Sequence, residues 1–337
     1  MNQYHIYGVG AALVDTEIEV SDQDLQNFGI DKGVMTLVDE ARQHELIDLL
    51  SDHLVASSRA SGGSAANTII AASYFGANNF YSCKVANDKN GQFYLEDMRR
   101  AGVDLPSKNS DHQGITGKCL VMITPDAERT MNTYLGISET ISVDDLHEPA
   151  IKNARYIYME GYLVTSETGR KAAIALRESA QAYGIKTALS LSDPAIVRFF
   201  RDGLAQMIGK RVNLLFCNRE EALSFTQTDS LEGAIEALKS VSDEFIITLG
   251  ANGALICDGA RVIQIDPCQT KVIDTNGAGD MFAGAFLYAI THDYCYEDAG
   301  KLASAASAKV ISQFGPRLQP EQHREVLLNT FPPERKI

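Results

Sequence analysis

Residues 274–280 read Asp-Thr-Asn-Gly-Ala-Gly-Asp, and a run of small and apolar residues follows from Met281 to Leu287. Gly277 and Gly279 take side chains away where the backbone turns into a helix. The first amides of such a helix have no carbonyls behind them and point, with the positive end of the helix dipole, at one place. That place suits an anion, and a phosphate best. With Ala278 between the two glycines, Gly277–Gly279 form the candidate anion hole. Asp280 stands at the same corner, where its carboxylate can take a proton from a hydroxyl attacking the phosphorus. Positioned amides plus one base are nearly all that phosphoryl transfer asks of a protein. The plainer reading is a glycine turn with an aspartate in the first helical turn.

Three further groups carry polar chemistry. In Gly62-Gly63-Ser64-Ala65-Ala66-Asn67-Thr68 the glycines let backbone approach a ligand, and Asn67, one turn into a helix, can donate and accept towards a polyhydroxyl ligand such as a ribose. The alternative makes Ser64 a helix cap and leaves Asn67 exposed. Asp15 ends the first strand region, where a carboxylate can accept bonds from two vicinal hydroxyls or simply close a turn. Asn218-Arg219-Glu220-Glu221 reads as an acidic helix start, and Thr248-Leu249-Gly250-Ala251-Asn252-Gly253 as a glycine-rich turn after a strand. No G-x-x-x-x-G-K-[ST] is present, nor His-Arg-Asp or Asp-Phe-Gly, and Gly8-x-Gly10 lacks its third glycine. P-loop, protein-kinase and dinucleotide chemistry are therefore unsupported.

The elements that must hold these groups follow a pattern. From about residue 150, Tyr156–Met159, Lys186–Leu191, Leu214–Cys217 and Phe245–Leu249 read as strands, with amphipathic helices at Glu167–Tyr183 and Leu231–Ser240. Strands spaced by helices require right-handed crossovers and a parallel sheet. Ala278–Thr291 and Tyr296–Gln313 read as helices covering that sheet. Thr16–Val20 and residues 115–135, the latter around Pro125-Asp126, alternate instead and read as a small sheet projecting as a lid. Lids of this kind exclude water from a phosphate donor. The expected layout is one α/β domain over 1–337, with a lid from about 15–40 and 112–140 and a loose tail at 332–337.

Bulk composition narrows the function. Of 337 residues 45% are hydrophobic, enough for a large core, and the net charge is −14, which opposes nucleic-acid or anionic-membrane partners. Phosphates must then be held by local dipoles, a few basic residues and a metal. The six cysteines form no CxxC and read as reduced thiols. No stretch reaches about 18 uninterrupted apolar residues and no leader is evident, so the expectation is a cytoplasmic protein.

These motifs together resemble the two signatures of the PfkB/ribokinase family of carbohydrate and nucleoside kinases, and the resemblance runs from Gly8 to about Gly315. It implies a ribokinase-like three-layer α/β/α fold with a mostly parallel central sheet and a small β-sheet lid. It also implies ATP as donor, with Mg²⁺, and a nucleoside or sugar as acceptor. By that resemblance Asp280 is the general base, Gly63 and Asn67 contact the sugar, and Asn218, Thr248, Gly250, Gly253 and Asn276 approach ATP. Glu221 orders Mg²⁺ through water, and Asp274 is a candidate K⁺ ligand. Arg129, on the lid hairpin, reads either as a surface arginine or as a lid residue that reaches the transferred phosphate. The N-terminal third is most similar to the adenosine-kinase branch, keeping Gly8, Gly10, Leu13 and Asp15, but with Ala11 where that branch has Asn. Leu13, Met131, Leu135, Tyr162 and Leu163 fall where the branch places apolar groups around a base. The implied reaction is phosphorylation of the 5′-hydroxyl of a nucleoside, adenosine to AMP. Inosine, guanosine, ribose or fructose are the other acceptors, and a non-catalytic nucleotide sensor is the alternative from another class. The assembly expected is a monomer or homodimer.

Overall fold

Apolar runs that alternate between two faces place most of the strands in one sheet. The computed structural model describes residues 3–51, 58–107, 112–126 and 128–332. The tail expected from 332 therefore lies, from 333 on, outside the described residues. In chain order the strands are β1 (Tyr4–Val9), β2 (Leu13–Glu19), β3 (Met35–Leu37), β4 (Ser58–Gly62), β5 (Asn79–Ser82), β6 (Val103–Asp104), β7 (Thr116–Ile123), β8 (Arg129–Gly136), β9 (Ala154–Glu160), β10 (Lys186–Ser190), β11 (Val212–Asn218), β12 (Ser242–Thr248), β13 (Ala254–Cys257) and β14 (Val262–Ile265). The helices are α1 (Asp22–Asn27), α2 (Glu40–Leu49), α3 (Ser64–Phe75), α4 (Lys89–Arg100), α5 (Glu148–Lys152), α6 (Glu167–Ala182), α7 (Pro194–Ile208), α8 (Arg219–Thr226), α9 (Leu231–Leu238), α10 (Ala278–Thr291), α11 (Tyr296–Val310) and α12 (Pro320–Thr330).

The large sheet has nine strands in the order β14-β13-β12-β11-β10-β9-β1-β5-β6. It is parallel from β12 to β6, and β13 and β14 add an antiparallel edge. Successive residues of its central strands enter opposite cores, as a pleated strand requires. Tyr156, Tyr158, Leu214, Phe216 and Ile246 pack with α3, α4, α10, α11 and α12. Ile157, Met159, Leu215, Cys217, Phe245 and Ile247 pack with α5 to α9. This is the three-layer α/β/α arrangement expected from the alternating pattern, with a mostly parallel sheet.

The second sheet has five strands in the order β3-β8-β7-β2-β4. One face carries Ile18, Val20, Leu120 and Met122, closed over by Leu25 of α1 and by Leu46 and Leu50 of and just after α2. The other face looks into a cavity shared with the large sheet. β4, which the sequence reading left unassigned, pairs with β2 and leads straight into α3.

The chain passes between the two sheets four times, and the first two crossings pack on each other. Residues 10–12 carry it out from β1 to β2, and Gly62-Gly63 bring it back. Gly63 has φ +100°, and a Cβ there would lie 2.5 Å from the Ala11 carbonyl oxygen. Only glycine fits so close a crossing at such a dihedral.

Candidate active site

A cavity of about 460 Å³ lies between the inner face of the small sheet and the carboxyl ends of β9, β10 and β11, where open α/β sheets bind ligands. One side is the small sheet itself. Cross-strand register sets Asp15 opposite Cys119 and Cys119 opposite Thr133, while Met35 and Leu37 sit opposite Met131 and Thr133. With Leu13 and Leu135 these line a largely apolar wall, and Tyr162 faces the same cavity. Leu163 is not part of that wall; it is 5% exposed and packs in the core beneath.

The signature loop forms the opposite corner. Gly277 is the N-cap of α10 with φ +72°, and a Cβ there would meet the Pro316 carbonyl oxygen at 2.5 Å, so this turn also needs glycine. The first amides of α10, from Ala278 to Asp280, begin a helix and lack intrahelical acceptors; the Ala278 N–H reaches only the Thr275 carbonyl, at 3.3 Å. Gly277, Ala278, Gly279 and Asp280 all line the cavity. The arrangement can bind an anion and hold a carboxylate beside it.

Asp280 is bonded on both oxygens. Ser64 Oγ donates to Oδ1 at 2.6 Å and Asn67 Nδ2 donates to Oδ2 at 3.1 Å. Ser64 is thus no helix cap: Gly63 occupies that position, and the Ser64 hydroxyl serves the carboxylate instead. Asn67 is buried rather than exposed. Burial pushes the Asp280 carboxyl up to about 6, while Ser64, Asn67 and the charge of Arg317 pull it back. Asp15, also buried in the cavity wall, is pushed up to about 7 by desolvation, against the Arg317 charge.

Asn218, Glu221 and Asn276 line the far end of the cavity. Asn218 caps α8, with its Oδ1 accepting from Glu221 N at 2.8 Å. Glu221 in turn accepts from Asn218 N at 2.9 Å and Nδ2 at 2.7 Å. Its carboxyl, almost fully buried, is raised to about 7 by desolvation. Thr248, the last residue of β12, and Gly250 and Gly253, on the turn to β13, stand back from the cavity lining, and Gly250 is exposed.

Asp274 does not line the cavity. Its carboxylate carries the Arg129 guanidinium on both oxygens, and it also accepts from Asn276 N at 2.9 Å and Gly315 N at 2.7 Å. Arg129 is 8% exposed and also reaches Glu17 Oε1 at 3.3 Å. Arg129 is therefore not a surface side chain; it lines the cavity, and its guanidinium pairs with an Asp274 carboxylate that already accepts on both oxygens. Among the described residues no group of three His, Cys, Asp or Glu side chains is placed to hold a metal.

Several contributors escaped the sequence reading. Glu160 ends β9 inside the cavity, 1% exposed, and accepts from Ala11 N and Ala65 N, both at 2.7 Å. It thereby ties the two crossings together. A glutamate closing an apolar strand just before a glycine was the available signal. Asp193, after β10, also lines the cavity. Arg317, between α11 and α12, had no signal, since an arginine after a glycine-proline turn normally faces water.

Residues 35–323 match the sequence model of the family described as "pfkB family carbohydrate kinase". The adenosine kinase of Saccharomyces cerevisiae is 27% identical over 93% of this chain and 96% of its own length. A crystal structure titled as a probable sugar kinase from Rhizobium etli superposes with a TM-score of 0.89 at 32% identity, over 97% of this chain and all of that one (100%). The adenosine kinase of Sinorhizobium meliloti superposes with a TM-score of 0.88, also at 32% identity, covering 96% of this chain and 99% of that one.

Proposed function

The chain belongs to the pfkB family of carbohydrate kinases, and from that premise we propose that it transfers the terminal phosphoryl group of ATP to the 5′-hydroxyl of adenosine, giving AMP and ADP. One observation carries the reading. Asp280, the first amides of α10, Asp15 and the apolar inner face of the small sheet all open on one cavity. A purine lies against Leu13, Met35, Met131 and Leu135, and the ribose hydroxyls bond to Asp15. The relatives named adenosine kinase favour the same acceptor.

In the reaction the 5′-oxygen forms a bond to the terminal phosphorus as the bond from that phosphorus to the bridging oxygen of ADP breaks. Asp280 takes the proton from the hydroxyl. The amides around Gly277–Gly279 stabilise charge on the transferring oxygens. ATP occupies the end lined by Asn218 and Asn276, with the turn at Thr248–Gly253 flanking it. The residues present fit Mg²⁺ in one way. Glu221 is a single buried carboxylate at the cavity edge, enough to orient water around an ion that keeps several waters and takes its other oxygens from phosphates. Held by water that Glu221 orients, Mg²⁺ would supply positive charge against the donor phosphates. K⁺ is not assigned to Asp274, because that carboxylate is already paired.

A second reading, phosphorylation of a free sugar, has one specific support: the neighbour with a TM-score of 0.89 is named a probable sugar kinase. An ADP-release assay with ATP and Mg²⁺ against adenosine, inosine, guanosine, ribose and fructose separates the two. Turnover confined to adenosine is expected. Turnover on a sugar alone discards the purine slot and keeps Asp280 and the anion hole. Silence on all acceptors discards both readings.

A further inference from the structure

Behind Asp280 stands Arg317, a side chain that does not itself line the cavity. Arg317 Nε donates to Asn67 Oδ1 at 2.8 Å, and Nη1 donates to Ser61 Oγ and Asp97 Oδ2, each at 3.1 Å. Asp97 is itself fixed, accepting from Ser61 Oγ at 2.5 Å. One guanidinium thus joins β4, α3, α4 and the segment before α12. Its Nη2 is buried with no partner among the described residues.

Asn67 is the consequential contact. A guanidinium can only donate, and an ionised carboxylate can only accept. Arg317 on one side and Asp280 on the other therefore allow the Asn67 amide one orientation. Turned by 180°, it would set Oδ1 against the Asp280 carboxylate and Nδ2 against the guanidinium, which is repulsive at both ends. We propose that Arg317 is a positioning residue for phosphoryl transfer: it locks the Asn67 amide so that Nδ2 faces Asp280 Oδ2, and with Ser64 this holds the carboxylate ready to accept a proton. Electrostatics point the same way. The titration of Asp15 from β2, of Glu160 and Tyr158 from β9 and of Tyr162 is raised by burial and further by the Asp280 charge, both tyrosines staying neutral, and Arg317 is the cation that acts on both Asp15 and Asp280.

The inference rests on Asp280 acting as the base but not on the identity of the acceptor. The wild-type enzyme is assayed first, and whichever acceptor it turns over is used for the variants, so a wrong acceptor and a wrong role for Arg317 give different results. Arg317→Met should lower kcat by about 10- to 100-fold with the KM for ATP unchanged, as loss of an oriented catalytic group does. The acid limb of its pH–rate profile should move up by about one unit. Arg317→Lys keeps the charge but not the fork geometry. It should lose about 3- to 10-fold in kcat, with a smaller displacement of the acid limb. A double-mutant cycle of Arg317→Met with Asn67→Ala should be far from additive, because both break one chain of bonds. Carbon-13 NMR titration of the Asp280 carboxyl reads the same shift without any turnover. Either folded Arg317 variant with wild-type kcat and an unmoved Asp280 titration overturns the proposal, as does full additivity in the cycle.

Discussion

At one end of the cavity Asp280 takes hydrogen bonds from Ser64 and Asn67, Asn67 is anchored by Arg317, and the backbone crossings beside it are tied by Glu160. At the other end Asn218 and Glu221 bond chiefly to each other, and the turn carrying Thr248, Gly250 and Gly253 stands away from the cavity. The first end is built before any ligand arrives. The second offers a rim onto which a flexible, charged donor must settle. Groups that must meet a reacting atom gain most from such preorganisation, because reorganisation during the reaction is what they avoid. A nucleotide held through phosphates, water and a metal needs less of it.

That contrast predicts a ranking of defects. Asp280→Asn should cut kcat by about two orders of magnitude or more while acceptor binding survives, since the fold does not need that charge; a near-normal kcat in an ADP-release assay removes the base from the mechanism. Asp15→Ala comes next. Its KM for the acceptor should rise by about 10- to 100-fold, with the KM for ATP little changed, as a lost charged hydrogen bond implies. Equal rises in both constants would erase the distinction between the two ends. Met131→Ala should raise the KM for adenosine by about 5- to 10-fold through lost apolar contact, with no effect on ribose if ribose is turned over. Thr248→Ala should change the KM for ATP by about two- to threefold at most. A large effect there would mean that the turn closes onto ATP.

Proton linkage extends the contrast. In the proposed mechanism Asp280 works only when ionised, and burial holds its carboxyl near 6, so kcat should fall as pH drops through about 6. Stability has the opposite dependence. Asp15, Glu160 and Glu221 are raised to about 7 by desolvation, and Asp280 to about 6, all above their unfolded values. A raised carboxyl contributes stability that is complete below about pH 4 and lost as pH rises through its folded value. From these four groups, thermal melts should show a lower Tm at pH 8 than at pH 5.5. A Tm that rises over that interval would mean that these carboxyls are better compensated than their burial implies.

Much of this was legible because local physics carries it. The continuous apolar runs over 156–159 and 214–217 mark strands buried on both faces, and Gly277 and Gly63 announce turns that no other residue can make. The roles of Ser64, Glu160 and Arg317 were not legible, because each depends on a partner far along the chain: Arg317 meets Asn67 across 250 positions and Ser64 meets Asp280 across 216. The surface reading of Arg129 fails for the same reason, since an arginine at the start of a hairpin strand shows nothing of the buried Asp274 it pairs with.

The sequence by itself determined the layered α/β core, the projecting sheet, and a glycine corner with an aspartate fit for phosphoryl transfer, because periodicity and glycine dihedrals are properties of neighbouring residues. The tertiary structure alone decided which groups surround that aspartate, which way Asn67 is turned, and that Asp274 holds a guanidinium. Those outcomes depend on distance and desolvation between elements, and a linear spacing encodes neither.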